Sequence, residues 1–301
     1  MPLSGPIVLS DNRYGKAENR VVRFFRGGPR HEIRDVNVST TLRGDFAAAY
    51  TDGDQRQVLP TDTQKHMAYV FAEKQGLTTV EDYALALGRH FTDTVGPVRS
   101  ARVDVDSYGW QRVTVDGAGH DHAWVRQGPE VRTVAVTVAG TGAEQRAWVI
   151  GGISDLVVLK STGSEFADFY TDEFTTLAPT DDRVLATALD VRWRFAEIEG
   201  VDWDEVHAGI RARLLAVFAT QYSKALQQTL YAMGSAVLEE FPVLAEIRLS
   251  APNKHHFAYD LERFGIDNPG EVFWAADRPY GSIHATLARA DAPDAGPAWT
   301  I

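Results

Sequence analysis

Cysteine is absent from this 301-residue chain, which excludes disulfides, thiolate nucleophiles and thiolate metal ligands together. No apolar run approaches the ~18 residues that a membrane-spanning helix requires. Cations are in deficit: 30 Lys and Arg stand against 41 Asp and Glu, a net charge of −11 at pH 7. Such a surface repels phosphate backbones and anionic membranes, and no concentrated basic run offsets it, so nucleic-acid and membrane partners are not expected. Also missing are a Gly-rich dinucleotide loop after a strand, a Walker-type phosphate loop, a His-Glu-x-x-His helix and a Gly-x-Ser-x-Gly elbow. An enzyme with this sequence works without those devices. The opening Met1-Pro2-Leu3-Ser4-Gly5 carries no basic-then-apolar leader, and the closing Trp299-Thr300-Ile301 is no peroxisomal address. By elimination the expected location is cytoplasmic.

What is present suits a globular protein: 44% hydrophobic and 24% charged residues support a sizeable core. At roughly 150 residues per domain the length suggests two. Val36, Val38 and Leu42 alternate with polar neighbours, the period of a strand with one buried face. Strands are expected over Arg20–Arg26, His31–Arg43, Arg102–Asp106 and Val131–Val138, with Asp116-Gly117-Ala118-Gly119 as a turn. One helix follows Pro60 and runs through Phe71, with Thr61 as its N-cap. A second starts at Thr78, with Glu81 completing a capping box, and runs to Val95. The second half repeats the plan. Val191, Trp193 and Phe195 mark a strand; Val206, Ile210, Leu214, Val217 and Phe218 mark one helix face, and Leu226, Leu230, Met233 and Val237 another. Closing strands are expected over Glu246–Ser250, Phe257–Leu261 and Ile283–Leu287. Leu59-Pro60-Thr61-Asp62 is echoed by Ala178-Pro179-Thr180-Asp181, a further hint of duplication. Short antiparallel strands with segregated helices argue for α+β rather than a parallel doubly wound sheet.

Some segments have chemistry to offer. His120-Asp121-His122 with His255-His256 could be read as a metal cluster, but no further ligands stand at recognisable spacing, so no metal is assigned. In Ser250-Ala251-Pro252-Asn253-Lys254-His255, the proline is expected to interrupt the ladder and leave Asn253, Lys254 and His255 in a turn between two strands. Taken alone, Lys16 reads as a solvated lysine and Arg183 as a partner for Asp181-Asp182. Phe166 and Gln227 read as packing and helix-surface residues.

Taken in order, Tyr14-Gly15-Lys16, Thr61-Asp62-Thr63, Val158-Leu159-Lys160-Ser161-Thr162-Gly163-Ser164-Glu165-Phe166, Asp182-Arg183-Val184-Leu185-Ala186-Thr187, Gln227-Gln228-Thr229-Leu230-Tyr231 and Pro252-Asn253-Lys254-His255 resemble the urate oxidase family, from Asp11 to Arg289. The resemblance implies two tandem tunnelling-fold lobes, 1–140 and 141–301, with antiparallel sheets, helices on one face and a barrel closed by homotetramer formation. It implies oxidation of urate by dioxygen and water to 5-hydroxyisourate and hydrogen peroxide, with no metal or organic cofactor. It implies that Arg183 and Gln227 clamp the edge of the purine, that Phe166 stacks on its face, and that the backbone N–H groups of Asp62 and Leu226 bind ring atoms. Lys16, Thr61 and His255 would form a proton relay, and Thr61 and Asn253 would hold the oxygen species. Lys16 and Thr61 would come from a neighbouring subunit. The sequence departs from the family pattern at Ala251 and Thr171. The first ten residues and the tail after Ala290 lie outside the resemblance and are expected to be mobile. Two other readings remain: a zinc-dependent pteridine enzyme on the same fold, or a purine-binding barrel without catalysis.

Overall fold

A computed structural model describes residues 5–300, with the side chain of Asp277 left aside. The chain divides into two compact units. One ends at Gly128, resumes over Arg132–Gly151 and takes in the segment from Asp294 onward; the other is Pro129–Val131 with Gly152–Pro293. The elements in order are β1 (Tyr14–Phe25), β2 (Glu32–Gly44), α1 (Ala47–Thr51), α2 (Thr61–Lys74), α3 (Val80–Thr94), β3 (Val98–Val115), β4 (Ala118–Ala139), β5 (Arg146–Lys160), β6 (Leu185–Phe195), α4 (Trp203–Thr220), α5 (Leu226–Glu240), β7 (Leu244–Ala258) and β8 (Phe273–Ala288). Strand order follows chain order, and the pairs β1–β2, β2–β3, β6–β7 and β7–β8 are antiparallel. The expected α+β class holds.

In the first unit, Val36, Val38 and Leu42 of β2 and Val103 of β3 are fully buried, as their alternation requires. Helix α3 covers that face so closely that a Cβ at Gly88 would lie 2.9 Å from Val138. Burying a Val, Leu or Phe is worth roughly 1.5–3 kcal/mol. An exposed pair such as Arg56 with Asp54 is screened by water and contributes little. The apolar faces, not the surface charges, therefore place the helices. Between β3 and β4, Asp116 and Gly117 both take the left-handed conformation, with φ of 50° and 82°, the tight turn a two-residue hairpin needs. In the second unit, α5 crosses β7 and β8, and a Cβ at Gly234 would meet Leu287 and Leu249. The chain reverses after α5 into β7, so the N-terminus of α5 faces the far end of β7.

Several local expectations change. Helix α3 is capped by Thr79, not Thr78, whose hydroxyl accepts from the Asp82 N–H at 3.3 Å. Glu81 is instead buried and paired with Arg132 at 2.9 Å, because a buried carboxylate needs a cation more than the helix needs a second cap. β5 was not anticipated: Val149 to Ile153 are buried without alternation, which hides a strand from a period-two reading. The Ala178–Asp181 echo starts no helix; Thr180 instead pairs with Phe166 in an isolated bridge. The C-terminal tail also departs from expectation. Ala298 is buried beside Ala135 and Ile150 with Trp148 packed against them, and the buried Arg102 guanidinium donates to the carbonyls of Ala298 (2.9 Å) and Thr300 (3.2 Å). A buried guanidinium requires acceptors, and the tail's backbone supplies them. Of the first ten residues, positions 5–10 are exposed without regular structure; positions 1–4 lie outside the described residues. No helix among the described residues is long and apolar enough to cross a membrane.

Candidate active site

In the first unit the site begins with Gly15. A Cβ there would lie 1.7 Å from the Thr40 carbonyl oxygen, so only glycine lets β1 approach β2 at this point. Lys16 follows, opposite Thr40. The Lys16 N–H reaches the Thr40 hydroxyl at 3.4 Å, and that hydroxyl donates to Oε1 of Gln64 at 2.8 Å. Thr40 and Gln64 are both buried. Since Gln64 sits in the first turn of α2, these contacts tie the lysine strand to the helix start. Pro60 occupies the N-cap of α2 and Thr61 is its first helical residue. This corrects the expectation that Thr61 is the cap: its hydroxyl does not end the helix. The backbone N–H groups of Thr61, Asp62 and Thr63 precede the first helical bond, from Gln64 N–H to the Pro60 carbonyl, and so stay available to an acceptor. The Asp62 carboxylate is held below the usual range mainly by its hydrogen bond with Lys65, and also by the charges of Lys65, His66 and Lys16. Lys16 is thus near enough to the α2 start to act on it electrostatically.

In the second unit, a knot of short polar side chains sets the geometry. Ser164, Ser223 and Thr229 are fully buried. Ser164 bridges Ser223 in parallel. The Thr229 hydroxyl donates to Ser223 Oγ at 2.7 Å, and Ser223 Oγ donates to the Ala225 carbonyl at 3.2 Å. Gly163, at φ 72°, makes the turn that lets its carbonyl accept from Ser223 N–H at 3.0 Å. Arg183 is fastened to the same knot: its N–H donates to the Ser164 carbonyl at 2.8 Å and its Nε to Ser164 Oγ at 3.2 Å. The guanidinium carbon stands 5.2 Å from the centre of the Phe166 ring, which stacks on Phe169 at 4.9 Å. Helix α5 opens at the other side of the knot with Leu226 and Gln227. Its cap, Ala225, has no capping side chain, so the Leu226 N–H is open to a ligand. Half-burial lowers the Arg183 pKa, and among the described residues no carboxylate pairs with it. An ionised group in that state favours an anionic ligand.

Pro252 does not break the ladder as expected. β7 runs unbroken from Leu244 to Ala258, and its register against β6 is the same on both sides of the proline, with Asp190 opposite Ser250 and Thr187 opposite Asn253. The irregularity falls instead on the β8 side, between Asn253 and His255. Asn253 and His255 are therefore strand residues rather than turn residues, which fixes them more firmly. Since α5 lies over Leu249 through Gly234 and runs antiparallel to β7, its N-terminus points toward Asn253. His255 lies two residues further on, its ring 5.7 Å from Phe257. Ala251 is buried in the same strand, and nothing in the structure explains Thr171.

The nine expected site residues thus form two groups. Lys16, Thr61 and Asp62 are brought together in the first unit; Phe166, Arg183, Leu226 and Gln227 in the second, with Asn253 and His255 on the neighbouring strand. Sequence reading missed Thr40, Gln64, Ser164, Ser223 and Thr229, which hold them. Ser164 and Thr229 lay inside quoted motifs, but nothing in a linear sequence separates a buried hydroxyl from a solvated one. His120 and His122 contact each other edge to face at 4.5 Å, yet no group of three or more His, Asp or Glu able to hold a metal exists among the described residues. The zinc-dependent reading has no ligand set there.

The Uricase family model matches residues 12–137 and 149–284. A uricase of Arthrobacter globiformis is 49% identical over 98% of this chain and 94% of its own length, and one of Dictyostelium discoideum is 35% identical over 93% and 97%. The crystal structure of the uricase from Arthrobacter globiformis superposes with a TM-score of 0.92 at 48% identity, covering 99% of this chain and 100% of that one. With the family's motifs in order, its fold reproduced and relatives matched from end to end, the chain belongs to the uricase family.

Proposed function

We propose that the chain is a urate oxidase that converts urate, dioxygen and water to 5-hydroxyisourate and hydrogen peroxide in purine degradation. The observation that carries the reading beyond family membership is Arg183, a half-buried cation with no carboxylate partner among the described residues, set beside the Phe166 ring and tied to the start of α5. A guanidinium fork suits the carbonyl and ring nitrogen of a flat anion. The Gln227 amide supplies both a donor and an acceptor, and the Phe166 ring supplies a stacking face.

The remaining roles follow. The Leu226 and Asp62 N–H groups bind ring atoms. Lys16, Thr61 and His255 relay protons, the Thr61 hydroxyl both giving and accepting. Thr61 and Asn253 hold the oxygen species over the ring. Two electrons pass from the deprotonated purine to dioxygen, which leaves as peroxide, while water adds its hydroxyl to the purine; no metal or organic cofactor takes part.

Each unit is a tunnelling-fold lobe. The first-unit group of one subunit meets the second-unit group of another in a homotetramer. Strands β1 and β8 end the strand order, and open edges of this length favour pairing between chains. Val22, Phe24, Leu159 and Trp274 are exposed, surface that an oligomer would cover. The assembly acts in the cytoplasm.

The test is a single assay that follows urate absorbance and peroxide together. Equimolar urate loss and peroxide gain are expected, unaffected by chelators. Urate bound but not consumed would leave a purine-binding barrel. Activity abolished by chelation and restored by zinc would point to the pteridine class.

A further inference from the structure

Thr187 is fully buried on β6, and its hydroxyl has no hydrogen-bond partner among the described residues. Around it the pattern is strictly apolar. Leu185, Leu189, Val191, Trp193 and Phe195 occupy the alternate positions of the same strand face, all buried. A hydroxyl in such a row costs stability unless it is bonded. A valine of the same shape would fill the space without that cost, so the side chain needs another explanation.

Its neighbour supplies one. Thr187 pairs directly with Asn253, and Asn253 pairs on its other side with Gly281. Residues opposite one another in antiparallel strands share a face, so hydroxyl, amide and bare glycine form one row across three strands. A Cβ at Gly281 would lie 3.7 Å from Asn253 Cβ and 3.8 Å from Ile283 Cδ1. The space beside the amide is therefore open by roughly one methyl group. Among the described residues the Asn253 amide has no side-chain partner, although it is half-buried. Its two ends, a carbonyl and an NH₂, would point in either sense unless something selects one.

We infer that Thr187 is a positioning residue: its hydroxyl, unbonded in the resting chain, takes the Asn253 amide as its partner once the oxygen species is held, and so sets which end of the amide meets that species. The inference rests on the proposed urate oxidase activity and on the part Asn253 plays in it. The role given to Thr187 needs no contact with purine or oxygen, since it acts through Asn253. Gly281 leaves the amide room to turn, and Thr187 decides which way it settles. The hydroxyl stays unbonded until then, at a cost to stability that its bond to the amide offsets when the oxygen species is in place.

The experiment compares Thr187→Val, Thr187→Ser and Gly281→Ala with the wild-type tetramer. Each is measured for Tm, for the Kd of a non-oxidisable purine inhibitor, and for kcat and the KM for oxygen. Thr187→Val should keep or raise Tm and bind the inhibitor as tightly as wild type. It should lose about tenfold in kcat over KM for oxygen, the worth of one hydrogen bond in the oxygen step. Thr187→Ser should recover most of that loss. Gly281→Ala should fold normally and show a similar oxygen-specific defect. A Thr187→Val enzyme with wild-type oxygen kinetics overturns the inference, as does one whose Tm falls or whose inhibitor binding weakens to match its activity. Wild-type protein that leaves urate untouched would overturn the function itself and this inference with it.

Discussion

Arg183 is held at three points, by Ser164 through backbone and side chain and by the Phe166 ring, yet it makes no ion pair among the described residues. Replacing it by alanine should leave Tm nearly unchanged, because the lost ionised group was only half compensated in the folded state. Inhibitor affinity should fall by about 10- to 150-fold, the range of a charge-assisted hydrogen bond of ~1.5–3 kcal/mol; calorimetric titration checks it. Lys16→Met and Thr61→Ala should behave in the opposite sense. Inhibitor binding should persist while turnover drops by about 10²-fold or more, the scale of a lost proton-transfer group. Full turnover by Lys16→Met would remove the relay. The sequence pointed to these three residues as candidates because each stands in a short ordered motif. Their supports were not: Gln64 and Ser223 read as ordinary polar residues until burial reveals what they bond.

At the scale of elements, Gly15 and Tyr83 show how strand and helix contacts reach the site. Gly15→Ala would force β1 away from β2, since its Cβ would sit 1.7 Å from the Thr40 carbonyl oxygen. A loss of about 1–3 kcal/mol in stability is expected from such overpacking, together with a fall in turnover as Lys16 moves off the start of α2. Chemical denaturation and steady-state kinetics would measure both. Tyr83 of α3 donates to the Ala68 carbonyl of α2 at 2.8 Å, and burial pushes its hydroxyl well above the usual tyrosine pKa. The folded state therefore keeps a proton that the unfolded chain gives up above pH ~10. Stability from this group is complete below that value and declines as pH rises beyond it. Tyr83→Phe should cost about 1 kcal/mol at neutral pH and show a shallower alkaline decline in urea unfolding. Helix existence was legible from apolar spacing, but boundaries shifted wherever a side chain had a better tertiary use. Glu81 left its expected capping role for Arg132, and Pro252 stayed within β7 because the ladder to β8 absorbed the irregularity.

For the whole molecule, the proposed meeting of the two groups across subunits has a direct consequence. Lys16→Met and Arg183→Ala chains should each be nearly inactive alone. Unfolded, mixed in equal amounts and refolded together, they should regain roughly a quarter of wild-type activity, since random pairing builds some sites from two intact halves. Sites completed within one chain would regain nothing. Sedimentation analysis should find a homotetramer. At high dilution, activity and tetramer should disappear together, because neither half of the site suffices alone.

The sequence by itself determined the family and the α+β alternation of strands and helices, because these depend on residue type, local period and short ordered motifs. It also excluded thiol chemistry through composition alone. Only the tertiary structure decided which buried hydroxyls tie Arg183 to α5, that the C-terminal tail is anchored by Arg102, and that Thr187 stands unbonded beside Asn253. Those outcomes depend on which groups lose their water on folding and what they then find within reach, and that is set by the packed neighbours rather than by the adjacent residues in the chain.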